Sequence, residues 1–183
     1  MGTLAKISYR PAAFDKGYTD HILRVDLADH TLTVEPVAPE IKDFFIGGRG
    51  YCLWLVQAGT DAATRYDSPG NVLALAGGPF CGESSFPGAG KFIVGTISPL
   101  TDSFVNSNVG GHFFALAKEP GFDAIAVSGR SEREVMHHID RDGGESTIAD
   151  APGGAGSITV TEKIFEEKQG HGKTRNVAMF TDR

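Results

Sequence analysis

Cysteine is nearly absent from this chain, with Cys52 and Cys81 the only two among 183 residues. That scarcity excludes a disulfide framework, and with no CxxC pair it also excludes a zinc or iron–sulfur site of the usual spacing. Both cysteines read as small buried hydrophobes. No apolar run approaches the roughly 18 residues that cross a membrane, and the opening MGTLAKISYRPAAFDKGYTD lacks the apolar centre of a secretory signal. A cytoplasmic protein without a membrane partner is the expectation. Positive charge is in deficit: 17 Lys and Arg against 23 Asp and Glu leave a net charge of −6. Nucleic-acid phosphates need a basic patch, so a nucleic-acid partner is excluded as well.

Side-chain catalytic signatures are missing too. Gly90-Lys91 and Gly172-Lys173-Thr174 echo a phosphate-binding loop, but neither completes GxxxxGK[ST] between a strand and a helix. His137 and His138 are neighbours in a predicted strand and so point to opposite faces. His21, His30 and His171 fall at element ends. Ser84-Ser85 has no GxSxG elbow around it, and Glu166-Glu167 reads as a solvated helix face. No catalytic residue is predicted.

What the chain does have is glycine, 24 residues in discrete clusters at 47–50, 77–78, 87–90, 110–111 and 152–156. Glycines gathered at element ends mark tight turns or a close approach of main chain to a ligand. Residues 1–16 read as a loose extension and 17–183 as one domain, within the size range of a single core. Strands are predicted at 21–27, 31–35, 71–76, 91–97, 123–127, 134–139, 145–148 and 175–180. Helical patterns occupy 39–57 (two helices or one broken at Gly47-Gly48), 111–118 and 159–169. Hairpins at Asp29-His30 and Asp142-Gly143-Gly144 favour an α+β fold with mixed and antiparallel sheets over regular βαβ winding.

One stretch concentrates the puzzle. In SPLTDSFVNSNVGGHFFALAK, residues 98–118, two amides, a hydroxyl and a glycine pair lead straight into an apolar helix. Phe104-Val105 reads as a short strand ahead of a loop, Asn106 to Gly111. With Gly77-Gly78-Pro79 and Pro87-Gly88-Ala89-Gly90-Lys91, this makes three loops of bare backbone. Such loops offer N–H and C=O groups to a large polar ligand, and a helix start behind one favours an anion. Three ordinary turns are the plainer reading.

Ordered motifs then carry a resemblance: ILRVDL at 22–27, FIGGRGYCLWLV at 45–56, LALAGGPFCG at 73–82, FPGAGKFIVGTISPLT at 86–101, NSNVGGHFFALAKEPGFDAIAVSGRSE at 106–132 and ITVTEKI at 158–164. SPLT followed by N-x-GG and GFDAI is the most specific part. From about Gly17 to Phe180 the chain resembles the N-terminal domain of the tungsten-containing aldehyde ferredoxin oxidoreductases.

The resemblance implies a base-like domain carrying a bis-pterin tungsten (or molybdenum) cofactor, with a magnesium ion bridging the pterin phosphates. Asn108 matches the position whose backbone carbonyl faces that magnesium. Val109, Gly110 and Gly111 share the loop of the family's pterin contacts. Lys91 stands where many members carry arginine, and its point charge lacks the planar two-pronged fork of a guanidinium. Arg49, in the GGRG turn, is a further candidate for a cofactor or structural role. The [4Fe–4S] cluster and the family's second cofactor loop are expected outside this chain. It would then be an N-terminal part, inactive alone, of an enzyme oxidising aldehydes to acids and passing electrons to ferredoxin. Its partner would be the remainder of that oxidoreductase or a larger subunit. The alternative is a non-catalytic scaffold that kept the fold, whose exposed apolar sheet edges would make it dimerise or bind a partner.

Overall fold

The computed structural model describes residues 2–82, 85, 87–140, 144–153 and 157–168. Strand β1 covers Thr3–Ser8, β2 His21–Asp26 and β3 Thr31–Pro36; helices α1 and α2 cover Pro39–Phe44 and Arg49–Gly59. Next come β4 Leu73–Ala76, β5 Phe92–Ile97, β6 Phe104–Val109 and α3 Phe113–Lys118. The remainder is β7 Ala124–Ser128, β8 Val135–Asp140, β9 Glu145–Asp150 and α4 Ser157–Lys168. The fold is α+β as expected. A six-stranded sheet runs β3-β2-β7-β4-β5-β6, and a three-stranded sheet runs β1-β9-β8. Only the β2–β7 pairing is parallel among those described.

Alternation along the strands builds two apolar layers. One face of the large sheet offers small residues, Ala74, Ala76, Ala124 and Ala126, to Tyr51, Cys52, Leu55 and Val56 of α2. Small side chains let the helix come close: a Cβ on Gly95 would sit 2.8 Å from the Cβ of Cys52. The opposite face offers larger ones, Leu23, Val25, Leu75, Phe92 and Ile125, to Phe114 of α3 and to Ile139 and Ile148 of the small sheet. Burying a side chain such as Phe114 stabilises the fold by roughly 1.5–3 kcal/mol. Met136 packs with Val160 and Ile164, so α4 covers the outer face of the small sheet.

Two expectations fail instructively. Residues 1–16 are not a loose extension, because β1 pairs antiparallel with β9 and Lys6 meets Glu145 at 2.8 Å. Its partner lies near the far end of the chain, where no local pattern can announce it. The polar stretch Asn106–Val109 is not a loop but the continuation of β6, with Asn108 opposite Ile93 and Val109 opposite Phe92. Pairing with the preceding strand β5 outweighs the poor strand propensity of asparagine. The helical pattern over 39–57 resolves into two helices, separated where Gly47 (φ 127°) and Gly48 (φ 50°) take backbone angles that L side chains avoid. The predicted strand over 175–180 lies outside the described residues. Both cysteines are buried, as read from the sequence. Of the large sheet's two edges, β6 carries Asn106, Ser107 and Asn108, so that rim is more polar than the scaffold reading anticipated.

Candidate functional site

Register places the glycine loops in one row. Ala76 lies opposite both Ile93 and Ala124, and Asn108 lies opposite Ile93. The end of β4, the start of β5, the end of β6 and the start of β7 therefore share one rim of the large sheet. Helix α2 joins them at its N-terminus, where the Gly48 N–H donates to the Gly77 carbonyl at 2.8 Å. A Cβ on Gly48 would rest 3.5 Å from Cγ1 of Ile93.

The two loops flanking β5 and β6 touch through bare backbone. A Cβ on Gly90 would stand 2.2 Å from the Gly111 carbonyl oxygen, so no other residue fits there without moving main chain. Beside it, the Lys91 ammonium nitrogen lies 3.3 Å from where a Cβ of Gly110 would be. The 77–90 segment is closed on itself by Gly82 N–H donating to Ala89 O at 2.8 Å.

The predicted site residues accordingly share this rim, though not on equal terms. Lys91, Asn108, Gly110 and Gly111 are exposed, and Lys91 reaches over Gly110. Val109 turns its side chain partly into the core and so presents only main chain. Arg49 is exposed on the first turn of α2, one residue from the Gly48–Gly77 contact. Helix α3 begins at Phe113 rather than Gly111 and is six residues long, leaving only a small dipole to favour an anion. Among the described residues no three His, Cys, Asp or Glu side chains gather as a metal site. Any cation held here would need backbone oxygens or donors from elsewhere.

Sequence reasoning missed what stands behind the rim. Lys118 and Asp123 form a buried ion pair at 3.5 Å. Burial pushes the Lys118 ammonium pKa down while the Asp123 carboxylate opposes that shift. In front of them, Lys42 lies 4.9 Å from the Tyr18 ring centre and pairs with Asp20 at 2.8 Å, a hydrogen bond that raises its pKa. A lysine closing a short helix reads from sequence as a solvated C-terminal charge, so nothing local revealed its burial. Burial raises the Cys81 thiol pKa and takes that of Cys52 to about 12, which leaves both unreactive at neutral pH. A pocket of about 380 Å³ exists, but it opens at the opposite rim among Leu27, Ser68, Val127, Arg130 and Arg133. Of its polar lining, Asn71 bonds Thr96, and Arg133 pairs with Asp150 of β9.

Fold and rim together define an α+β domain that brings glycine-rich main chain and the Lys91 side chain to one edge of its large sheet, with no gathered metal-ligating side chains among the described residues. Residues 22–181 match the family model described as aldehyde ferredoxin oxidoreductase, N-terminal domain, and the chain belongs to that family. It is 36% identical over 155 residues to the tungsten-containing aldehyde ferredoxin oxidoreductase of Pyrococcus horikoshii, covering 84% of this chain and 25% of the relative. Identity to the Thermococcus kodakarensis enzyme of the same name is 34% over 158 residues, covering 86% and 26%. Among solved structures, the active site complex BamBC of benzoyl coenzyme A reductase, bound to 1,5-dienoyl-CoA, superposes with a TM-score of 0.77. Identity there is 28%, over 85% of this chain and 24% of that one. The chain thus spans about a quarter of the length of these relatives. No helix among the described residues is long and apolar enough to cross a membrane.

Proposed function

We propose that this domain is the base on which the bis-pterin tungsten (or molybdenum) cofactor of an oxidoreductase rests. The observation that carries the reading is the Gly90–Gly111 backbone contact beside Lys91, at the rim that the family match spans. The rim fits such a group: a broad polar ligand can lie on main chain that no side chain obstructs, and the Lys91 ammonium supplies a compact positive charge for a phosphate. Asn108, on an edge strand, would turn its backbone carbonyl oxygen toward a magnesium ion, a hard cation that prefers oxygen donors, and Val109 would offer main chain to the pterin. Gly110 and Gly111 would take the pterin face, and Arg49 would add charge from the start of α2. When bound, the metal centre would supply the two-electron chemistry of aldehyde oxidation. This chain's residues would hold and orient it without moving a proton themselves.

For the whole protein the names of the curated relatives favour an aldehyde as substrate and ferredoxin as electron acceptor; we infer the acid as product and a [4Fe–4S] cluster outside this chain as the electron relay. The likeness to a benzoyl coenzyme A reductase complex favours reduction of an aromatic thioester as the second reading. Either way the domain alone is inactive, since it holds one side of the cradle and needs the remainder of the oxidoreductase or a larger subunit. The test is anaerobic purification of the tagged chain from a tungsten-using host, with elemental analysis, oxidised-pterin fluorescence and identification of co-purifying proteins. Tungsten or molybdenum with pterin, lost several-fold in Lys91→Ala and kept in Lys91→Arg, supports the cradle. A chain free of metal and pterin with its partner present overturns it.

A further inference from the structure

Behind the rim, one side chain ties together segments that are far apart in sequence. Lys118 closes α3 and is 1% exposed. Its ammonium donates to the Gly78 carbonyl oxygen and faces Asp123 Oδ1 at 3.5 Å. Asp123, equally buried, accepts the backbone N–H of Thr19 at 3.0 Å and of Asp20 at 2.8 Å. Beside the pair lies Tyr18, whose ring centre is 5.9 Å from the Lys118 nitrogen and whose hydroxyl donates to the Ile46 carbonyl at 2.9 Å. A Cβ on Gly17 would collide with the Pro79 carbonyl oxygen at 2.3 Å, so the 17–20 segment lies directly on the 77–79 turn.

A lysine is costly to bury, because both its charge and its rotamer freedom are given up. Simple core filling would use leucine or methionine. Here the ammonium meets a carbonyl and a carboxylate, and each of these belongs to a different loop at the cradle end. Gly78 is the junction: its neighbour Gly77 accepts from Gly48 at the head of α2, and Gly82 bonds Ala89, next to Gly90 and Lys91.

We propose that Lys118, held by Asp123, is the positioning residue of the cradle, fastening the 77–82 turn from behind and thereby fixing both the start of α2 and the Gly90–Lys91 loop. The nature of the ligand rests on the reading above; the fastening does not.

Hydrogen exchange separates this from general stabilisation. The variant Lys118→Met/Asp123→Asn removes both charges together while leaving an amide oxygen to accept from Thr19 and Asp20. The Gly48 and Gly82 amides should then exchange at least tenfold faster, with Arg24 and Val25 in β2 within twofold of the parent. Unchanged rates at Gly48 and Gly82, or equal acceleration in β2, overturns the proposal. Should that variant not fold, the unsubstituted protein decides. Nζ protons of Lys118 that persist in nitrogen-resolved spectra at neutral pH support fastening, and protons lost to rapid exchange overturn it. In the same variant, oxidised-pterin fluorescence retained from the tungsten-using host should fall several-fold although Lys91 is intact. Retention equal to the parent overturns the link to the cradle. Freed loops together with no pterin even in the parent would sink the cofactor reading and leave the fastening standing.

Discussion

Lys118 and His137 are buried to nearly the same depth, at 1% and 2% exposure, and the structure treats their basic nitrogens in opposite ways. Lys118 sits at the glycine-rich rim with a carboxylate and a carbonyl around its ammonium. His137 sits between the two sheets, beside Val135 and Ile139, and its Nε2 meets only the Ser146 hydroxyl at 2.7 Å. Its Nδ1 has no hydrogen-bond partner. Burial, and secondarily His138, takes the His137 pKa down to about 3, so the ring is neutral where the protein is folded. A charge is retained in the interior where it joins loops, and is given up where the side chain merely fills a layer.

The severest way to break that contrast is Lys118→Met alone. It leaves Asp123 buried without its cation, and removal of one partner of a buried pair typically costs 3–5 kcal/mol. Urea unfolding should show a loss of about that size, with Lys118→Met/Asp123→Asn recovering much of it. A loss below about 1 kcal/mol would mean that the ammonium is solvated in solution and the contrast is false.

How far the fold could be read follows the same division between local and distant causes. The β2–β3 hairpin, the interruption between α1 and α2, and the short apolar runs of β4, β5 and β7 all lie within short windows, and each is found where the sequence placed it. Lys91, Asn108 and Gly110 were singled out by ordered motifs, and the register brings them to one rim. What escaped was set by pairing and closure that no local pattern shows. Thr3–Ser8 becomes a strand because β9 is there to receive it, and Asn106–Val109 because β5 is. The Lys118–Asp123 pair spans only five positions, yet its burial depends on Thr19, Tyr18 and Gly78 closing over it. No periodicity encodes that closure.

A smaller effect sharpens the comparison from the other face of the sheet. In Gly95→Val the new Cβ would meet Cys52 Cβ and Phe104 Cε2, each at 2.8 Å, and would press α2 outward. Overpacking of this kind costs about 1–3 kcal/mol. Because Lys118 holds the 77–82 turn from behind, the Gly82 amide should keep its protection in this variant while the α2 amides lose theirs. Joint loss at both places would show that α2, rather than Lys118, carries the rim.

The histidine half of the contrast is tested by acid. Above the ordinary histidine pKa of about 6.5, His137 is neutral in both folded and unfolded chains and contributes no slope. Between that value and about 3 the unfolded chain takes up a proton that the native ring refuses. Stability should therefore fall with falling pH, by up to about tenfold in the folding equilibrium per pH unit. His137→Gln, which keeps a polar partner for Ser146, should flatten this part of the urea midpoint's pH profile. Parallel profiles for parent and variant would place the imidazolium in solvent and remove the contrast from the histidine side.

The smallest effect belongs to the opposite rim, where charge and exposure coincide. Arg133 pairs with Asp150 at 3.1 Å, but its side chain is 59% exposed against 33% for the aspartate. Water and salt screen such a pair, and the aspartate side chain is a third exposed although its Oδ1 atom is buried. Arg133→Met should therefore change stability by less than about 1 kcal/mol, with the difference shrinking further as salt is raised from tens of millimolar to molar. Measured beside Lys118→Met under the same conditions, it isolates burial as the variable, since both substitutions remove one cation from one aspartate. A loss as large as that of Lys118→Met, insensitive to salt, would show that the pocket rim is as tightly organised as the cradle. The functional asymmetry between the two ends of the sheet would then have to be argued from the glycine backbone alone.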